Sequence, residues 1–163
     1  MNPFVYGARK AFNVAGFRSG ISNCTLTATQ WVDPKNPIKS AASIFDPNGN
    51  SGYYRISEDE ALPGDLLITK NPEKGSYHTM LIESYDKNNK PVLRYSTGGA
   101  SQKSLRTGVS LDAYHQKDND QGGNHTEDHY FRYGVPIYTS MKPVIVKPAN
   151  NNFLGFRDGK DDQ

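Results

Sequence analysis

The feature that most restricts the fold is a series of short segments with alternating hydrophobicity, which begins near residue 65. Three segments of this kind are separated only by turns rich in Asn, Asp, Gly and Pro; they are 65–70, 77–85 and 91–97. Such short connections join antiparallel neighbours, because parallel strands need a crossover of a dozen residues or more. We therefore predict an antiparallel meander here, with later strands at 130–138 and 143–147.

The part of the chain before this meander has helical patterns instead. Apolar spacing and N-cap residues predict three helices, over 3–12, from Asn23 or Cys24 to Val32, and around 40–45. The second helix should end before Asp33-Pro34, because the residue before a proline avoids the helical region. The polar stretch 116–128 predicts an exposed loop. The predicted class is α+β, with N-terminal helices packed on an antiparallel sheet.

Length and composition limit the possible classes of protein. The 163 residues suit one catalytic or binding domain over 1–163, with a polar C-terminal tail at about 157–163. A single cysteine excludes a disulfide scaffold and a Cys-rich zinc module. The 19 basic and 17 acidic residues are interspersed, which argues against a nucleic-acid-binding surface. No apolar run is long enough to span a membrane. The N-terminus lacks the pattern of a signal peptide, so we expect none in this chain, and we expect a monomer.

Cys24 is the strongest candidate for chemistry. It lies among small polar residues at a predicted helix start, where free N–H groups and the helix dipole stabilise a thiolate. A catalytic thiolate needs a base, which is normally a histidine. His78 lies near the start of a predicted apolar strand, and alternation places it on the same face as Met80 and Ile82. A histidine on the core-facing side of a strand can reach a helix packed over the sheet. The residues alone leave two readings open, a small buried hydrophobe or a nucleophile.

The order of motifs resembles a known group of enzymes. A cysteine at a helix start is followed by Leu62-Pro63-Gly64-Asp65 before a strand, by His78-Thr79-Met80-Leu81-Ile82, and by a polar residue on the next strand. This order is similar to that of the NlpC-like and CHAP-like cell-wall cysteine peptidases, which are compact enzymes of papain-like fold. The resemblance covers about residues 20–100. The usual Asp-Cys-Ser/Gly signature is replaced here by Asn23-Cys24-Thr25.

The resemblance implies roles for particular residues. Cys24 would be the nucleophile, His78 the general base, and Asp65 the structural residue that opens a strand. The third residue, which orients the histidine, departs from the usual His, Asn, Gln or Glu. Ser96 is the candidate here, because Arg94 would repel a protonated imidazole. Tyr95 could replace Ser96 if the register is shifted, and a backbone carbonyl or a water would leave a Cys–His dyad.

The resemblance implies a cysteine hydrolase, either an endopeptidase or an amidase, that cleaves amide bonds of peptidoglycan peptides. It also implies that the protein acts in the cell envelope, as a periplasmic or secreted enzyme. Two alternatives stay open, an inactive envelope binding module of the same fold and an acyl transferase with the same Cys–His pair. No cofactor or metal is expected. His125 and His129 have a spacing that could bind a metal on a helix, but Gly122-Gly123 favours a solvated loop. The bond cleaved, and the choice between a housekeeping hydrolase and a toxin, stay open.

Overall fold

A computed structural model describes residues 23–97, 104–139 and 142–146 of the chain. The predicted helix over 3–12 and the predicted tail at 157–163 lie outside the described residues. Within these residues the chain is α+β, with helices packed on an antiparallel sheet, as the sequence predicts.

The main sheet has six antiparallel strands in the order β1-β6-β2-β3-β4-β5. Their bounds are β1 Tyr53–Ile56, β2 Leu66–Lys70, β3 Tyr77–Tyr85, β4 Pro91–Ser96, β5 Leu105–Ser110 and β6 Glu127–Tyr133. A separate two-stranded ribbon consists of β7 Val135–Thr139 and β8 Lys142–Val146. The β2–β3–β4 meander is confirmed. The predicted strand at 130–138 is two strands, β6 and β7, and the sequence did not predict β1 or β5.

The described residues include three α-helices, α1 at Cys24–Val32, α2 at Ala41–Phe45 and α3 at Leu111–Asp120, and a single 3-10 turn at Glu58–Glu60. The prediction of a loop over 116–128 is wrong, because α3 extends to Asp120 and β6 begins at Glu127. Only Leu111 and Tyr114 of α3 are buried, so the helix has almost no apolar periodicity to detect. None of the described helices is long and apolar enough to cross a membrane.

The six-stranded sheet has a packed core on each face. Helices α1 and α2 cover one face, where their apolar residues pack against alternate residues of the central strands: Ala28, Trp31, Val32, Ile44, Leu66, Ile68, Leu81 and Phe131. We call this the α1 face. Helix α3 packs on the other side with the intervening residues, Leu67, Met80, Ile82, Leu93, Tyr95, Leu111, Tyr114 and Tyr130. We call this the α3 face. Successive residues of a strand alternate between the two faces of the sheet, so the buried apolar residues of the central strands fall into these two groups.

A buried ion pair joins the turn before β2 to β6. The carboxylate of Asp65 accepts from Arg132 Nε at 3.0 Å and from an Arg132 terminal nitrogen at 2.7 Å. The same carboxylate accepts from the Leu62 amide at 2.7 Å and so fixes the Leu62-Pro63-Gly64 turn. Gly64 has a φ of +96° in this turn, which suits a residue without a side chain. Asp65 is thus fully engaged in holding the sheet together.

Candidate active site around Cys24 and His78

Cys24 is the first residue of α1. Asn23 caps the helix, since its Oδ1 accepts from the Leu26 amide at 3.0 Å and its Nδ2 donates to the Lys39 carbonyl at 3.0 Å. The thiol is partly buried, and its Sγ lies 3.9 Å from Thr25 Oγ1. The predicted start of this helix is confirmed. The thiol therefore lies at the N-terminal end of α1, beside the first N–H groups of the helix.

One buried hydrogen bond ties the start of α1 to the start of β3. Thr25 Oγ1 and Thr79 Oγ1 are 2.8 Å apart, and both side chains are buried. Cys24 and His78 are the residues that immediately precede these two threonines. The bond spans 54 positions of sequence and brings the starts of α1 and β3 to the same end of the sheet, with Thr79 facing α1 and the His78 side chain pointing to the opposite face.

The ring of His78 lies on the α3 face, in line with Met80 and Ile82. It stacks on Tyr114, with ring centres 5.5 Å apart and planes 4° apart, and meets Tyr95 edge-on at 5.1 Å. The ring keeps a partly accessible edge, but Nε2 is buried and has no hydrogen-bond partner. Burial lowers the pKa of His78 from 6.5 to about 4, with a smaller contribution from His125 that Asp118 opposes. The imidazole is therefore neutral at pH 7.

A cavity of about 200 Å³ opens beside this ring. Its walls come from the ends of β3 and β4, from the second half of α3 and from the loop before β6; they are His78, Tyr95, Thr97, Tyr114, Lys117, Asp118, Gln121 and His125. The lining combines aromatic rings with polar and charged side chains. A cavity of this size accommodates one amino-acid-sized group of a larger substrate.

Tyr114 lines this cavity and contacts His78. Burial raises the pKa of Tyr114 well above its ordinary value, and the negative charges of Asp118, Tyr95 and Cys24 raise it further, in that order. Its ring stacks on His78. The sequence did not single out Tyr114, because it lies on the helix that was predicted as a loop. The only available signal was the high tyrosine content of the chain.

The structure does not bring Ser96 to His78. Leu93 and Tyr95 belong to the α3 face, so Ser96 alternates onto the α1 face with Arg94. His78 lies on the opposite face, and the residue of β4 that contacts its ring is Tyr95. Arg94 is occupied by Glu83, at 2.7 Å, and lies over the Trp31 ring. No side chain of the described residues donates to or accepts from the buried Nε2 of His78.

The other three histidines are each paired with an acidic side chain. His115 Nε2 is 2.9 Å from Asp128 Oδ2, His125 Nδ1 is 3.0 Å from Asp118 Oδ1, and His129 Nε2 is 3.8 Å from Glu127 Oε2. No group of three potential metal ligands occurs among the described residues. His125 lies in the loop before β6 and His129 within β6, so the two do not share a helix face.

The chain was compared with protein-family models, with curated proteins and with solved structures, and none of them matches it.

Proposed function

We propose that the protein is a cysteine hydrolase that uses Cys24 and His78 to cleave an amide bond. The observation that carries this proposal is the buried Thr25–Thr79 hydrogen bond of 2.8 Å, which brings the start of α1, with Cys24, to the end of the sheet where His78 lies. Because the His78 side chain points to the α3 face, the proposal requires the thiol and the imidazole to meet around this end of the sheet. The unpartnered, neutral Nε2 of His78 supports it. A buried nitrogen without a partner costs stability, and such groups are concentrated where a protein binds or transforms a ligand.

The proposed reaction has two steps. Cys24 Sγ attacks the amide carbon while His78 takes the thiol proton, and His78 then gives that proton to the leaving amine. Water hydrolyses the resulting thioester, releases the acid and regenerates the thiol. The Leu26 amide is occupied by the Asn23 cap, but the first two amides of α1, at 24 and 25, have no partner among the described residues. These two N–H groups are the donors available to an oxyanion.

The substrate class rests on the motif order. The series of Cys24, Pro63-Gly64-Asp65 and His78 resembles that of enzymes that cleave peptidoglycan peptides, so we propose an envelope peptide as the substrate. The cavity beside His78, which is lined by both aromatic and polar side chains, suits one residue of a polar peptide.

The experiment is digestion of purified peptidoglycan, followed by mass spectrometry of the fragments. Wild-type protein should release new amine and carboxylate termini, whereas Cys24→Ala should release none and should keep the thermal unfolding temperature of the wild type. Equal turnover by Cys24→Ala would contradict the proposal. Amide products joined to an added amine, rather than free acids, would indicate an acyl transferase instead.

Alkylation distinguishes the enzyme from an inactive binding module. Cys24 is the single cysteine of the chain, so all iodoacetamide labelling reports on it. We expect rapid labelling near neutral pH in the native protein, and slower labelling of His78→Phe, which has no base. Labelling that requires denaturant would favour the binding module.

A further inference from the structure

A second set of nucleophile, base and acid adjoins the Cys24–His78 site. Ser76 Oγ is 3.1 Å from His125 Nε2, and His125 Nδ1 is 3.0 Å from Asp118 Oδ1. The three residues come from three separate parts of the chain, the β2–β3 turn, the loop before β6, and α3. This chain of hydrogen bonds has the connectivity of a Ser–His–Asp triad, in which the acid fixes the imidazole and the imidazole takes the serine proton.

The pairing defines which nitrogen of His125 carries the proton. A carboxylate only accepts hydrogen bonds, so Nδ1 is the N–H donor to Asp118. In the neutral form of the ring, Nε2 then carries the lone pair, and this nitrogen faces the Ser76 hydroxyl. This is the tautomer that a general base needs in order to activate a serine.

The backbone around the triad is held in several ways. Asp118 Oδ2 accepts from the His125 amide at 2.7 Å, and the His125 carbonyl accepts from Thr69 Oγ1 at 3.1 Å. A Cβ at Gly123 would collide with the Asp118 carboxylate, and Asn124 has a positive φ of 51°. The loop therefore has a backbone conformation that few residue types can adopt, and this conformation places His125 against Asp118.

Accessibility also agrees with a reactive serine. Ser76 is exposed, whereas the side chains of His125 and Asp118 are only 15% and 13% exposed. The base and the acid are thus shielded from competing water, while the nucleophile is open to a substrate. His125 and Asp118 also line the cavity beside His78, which offers space for an acyl group.

We infer that Ser76, His125 and Asp118 form a second nucleophilic centre that cleaves carboxylic esters independently of Cys24. Ser76 Oγ attacks the ester carbonyl, its proton moves to His125 Nε2 and then to the departing alkoxide, and an acyl-serine forms. Water then hydrolyses the acyl-serine, releases the acid and restores the hydroxyl.

Esters, rather than amides, are the class that fits this centre. The amides of Glu73 and Lys74 donate to Asn71 Oδ1, and that of Gly75 donates to the Asn71 carbonyl at 2.8 Å. These three N–H groups of the turn are therefore not free to bind an oxyanion. Without that stabilisation, only an electrophilic carbonyl with a good leaving group should react at a measurable rate.

The test uses the Cys24→Ala protein, so that the thiol cannot contribute, with p-nitrophenyl acetate and a fluorophosphonate as probes. We expect ester turnover and one phosphonyl adduct, located on Ser76 by peptide mass spectrometry. Ser76→Ala and His125→Ala should reduce both the ester turnover and the phosphonyl labelling to the background level. Asp118→Asn should slow the labelling at least about 10²-fold. Because Ser76 is exposed, Ser76→Ala should fold normally even if the other variants do not.

Two matched controls should keep full reactivity. Ser43→Ala removes another exposed hydroxyl, which donates to a backbone carbonyl and has no histidine partner. His115→Gln breaks the other close His–Asp pair, which has no serine attached. Labelling that persists in Ser76→Ala, an adduct on another residue, or no adduct at all would overturn the inference. Because the Cys24→Ala background is used throughout, these outcomes are independent of the proposed amidase activity.

Discussion

The two faces of the sheet differ in what surrounds their buried polar groups. On the α1 face, Thr25 pairs with Thr79, the Thr29 hydroxyl donates to the Thr25 carbonyl at 2.8 Å, and Arg94 pairs with Glu83. On the α3 face, the buried Nε2 of His78 has no partner, and a cavity adjoins it. Tyr53 Oη on the α1 face and Tyr54 Oη on the α3 face are also buried without a hydrogen-bond partner, so His78 is distinguished by the cavity beside it.

This difference has an energetic meaning. A buried donor or acceptor without a partner costs about 1–3 kcal/mol, so a fold retains one only if something compensates. On the α1 face the hydrogen bonds position α1, and with it Cys24, against the sheet. On the α3 face the unpartnered nitrogen of His78 is the group that the proposed function assigns to the substrate. The comparison therefore predicts that substitutions on the α1 face mainly change stability, whereas substitutions at His78 mainly change activity.

The largest effect is expected for His78→Phe. Phenylalanine keeps an aromatic ring against Tyr95 and Tyr114 but removes both nitrogens, so amide hydrolysis should fall about 10²–10⁴-fold. The free energy of unfolding should stay equal or rise, because a buried polar atom without a partner has been removed. Turnover of a peptidoglycan fragment and urea denaturation measure the two effects. A large loss of stability with unchanged turnover would reverse the assigned roles of the faces.

The next effect is the pH dependence of stability. Above pH 6.5, His78 is neutral in both the folded and the unfolded chain and contributes no pH dependence. As the pH falls toward the folded-state pKa of about 4, the unfolded chain takes up a proton that the buried ring does not. The free energy of unfolding should therefore fall by about 2–3 kcal/mol between pH 7 and pH 4.5 from this group.

His78→Phe provides the control for this pH effect. The pKa of His129 is also lowered, chiefly by burial, so part of the wild-type decline belongs to that residue. The difference between wild type and His78→Phe, measured by urea denaturation at both pH values, isolates His78. If the free energy of unfolding fell equally with pH in the two proteins, the His78 ring would not be buried in its neutral state.

The sequence predicted the elements with strong local signals. Alternating apolar residues between short turns gave the β2–β3–β4 meander, and the Asn23 cap with Asp33-Pro34 gave the bounds of α1. Helix α3 was missed because only two of its residues are buried, which leaves almost no helical periodicity. The pairing of β6 with β1 and β2 was missed because no turn connects them and local chemistry does not encode long-range pairing.

The same limits apply to the candidate site. Cys24 and His78 could be selected because each lies in an element that the sequence defines well. The aromatic partners of His78 could not all be selected, since Tyr114 belongs to the helix that was missed. The Ser76–His125–Asp118 chain could not be found at all, because it depends on a turn, a loop and α3 meeting in space.

An intermediate effect is expected for Thr79→Val on the α1 face. Valine has nearly the shape of threonine but leaves the Thr25 hydroxyl buried without this partner, which should cost about 1–3 kcal/mol in unfolding free energy. The double variant Thr25→Val, Thr79→Val should recover part of this loss, because neither hydroxyl then remains. Losses that simply add in the double variant, measured by urea denaturation, would show that the two hydroxyls do not interact.

The smallest effect on activity is expected for Ser96→Ala. Ser96 is buried on the α1 face, opposite His78, so loss of its hydroxyl should change amide turnover less than about threefold, although it should lower stability by about 1 kcal/mol. Tyr95→Leu is the matched comparison on the same strand, because it removes the ring that meets His78 edge-on at 5.1 Å. Turnover should fall more for Tyr95→Leu than for Ser96→Ala, and the acidic limb of its pH profile should move, since the imidazole gains access to water. If Ser96→Ala instead lost turnover 10²-fold or more with the fold intact, Ser96 would have to reach the imidazole around the end of the sheet, and the division of roles between the faces would not hold.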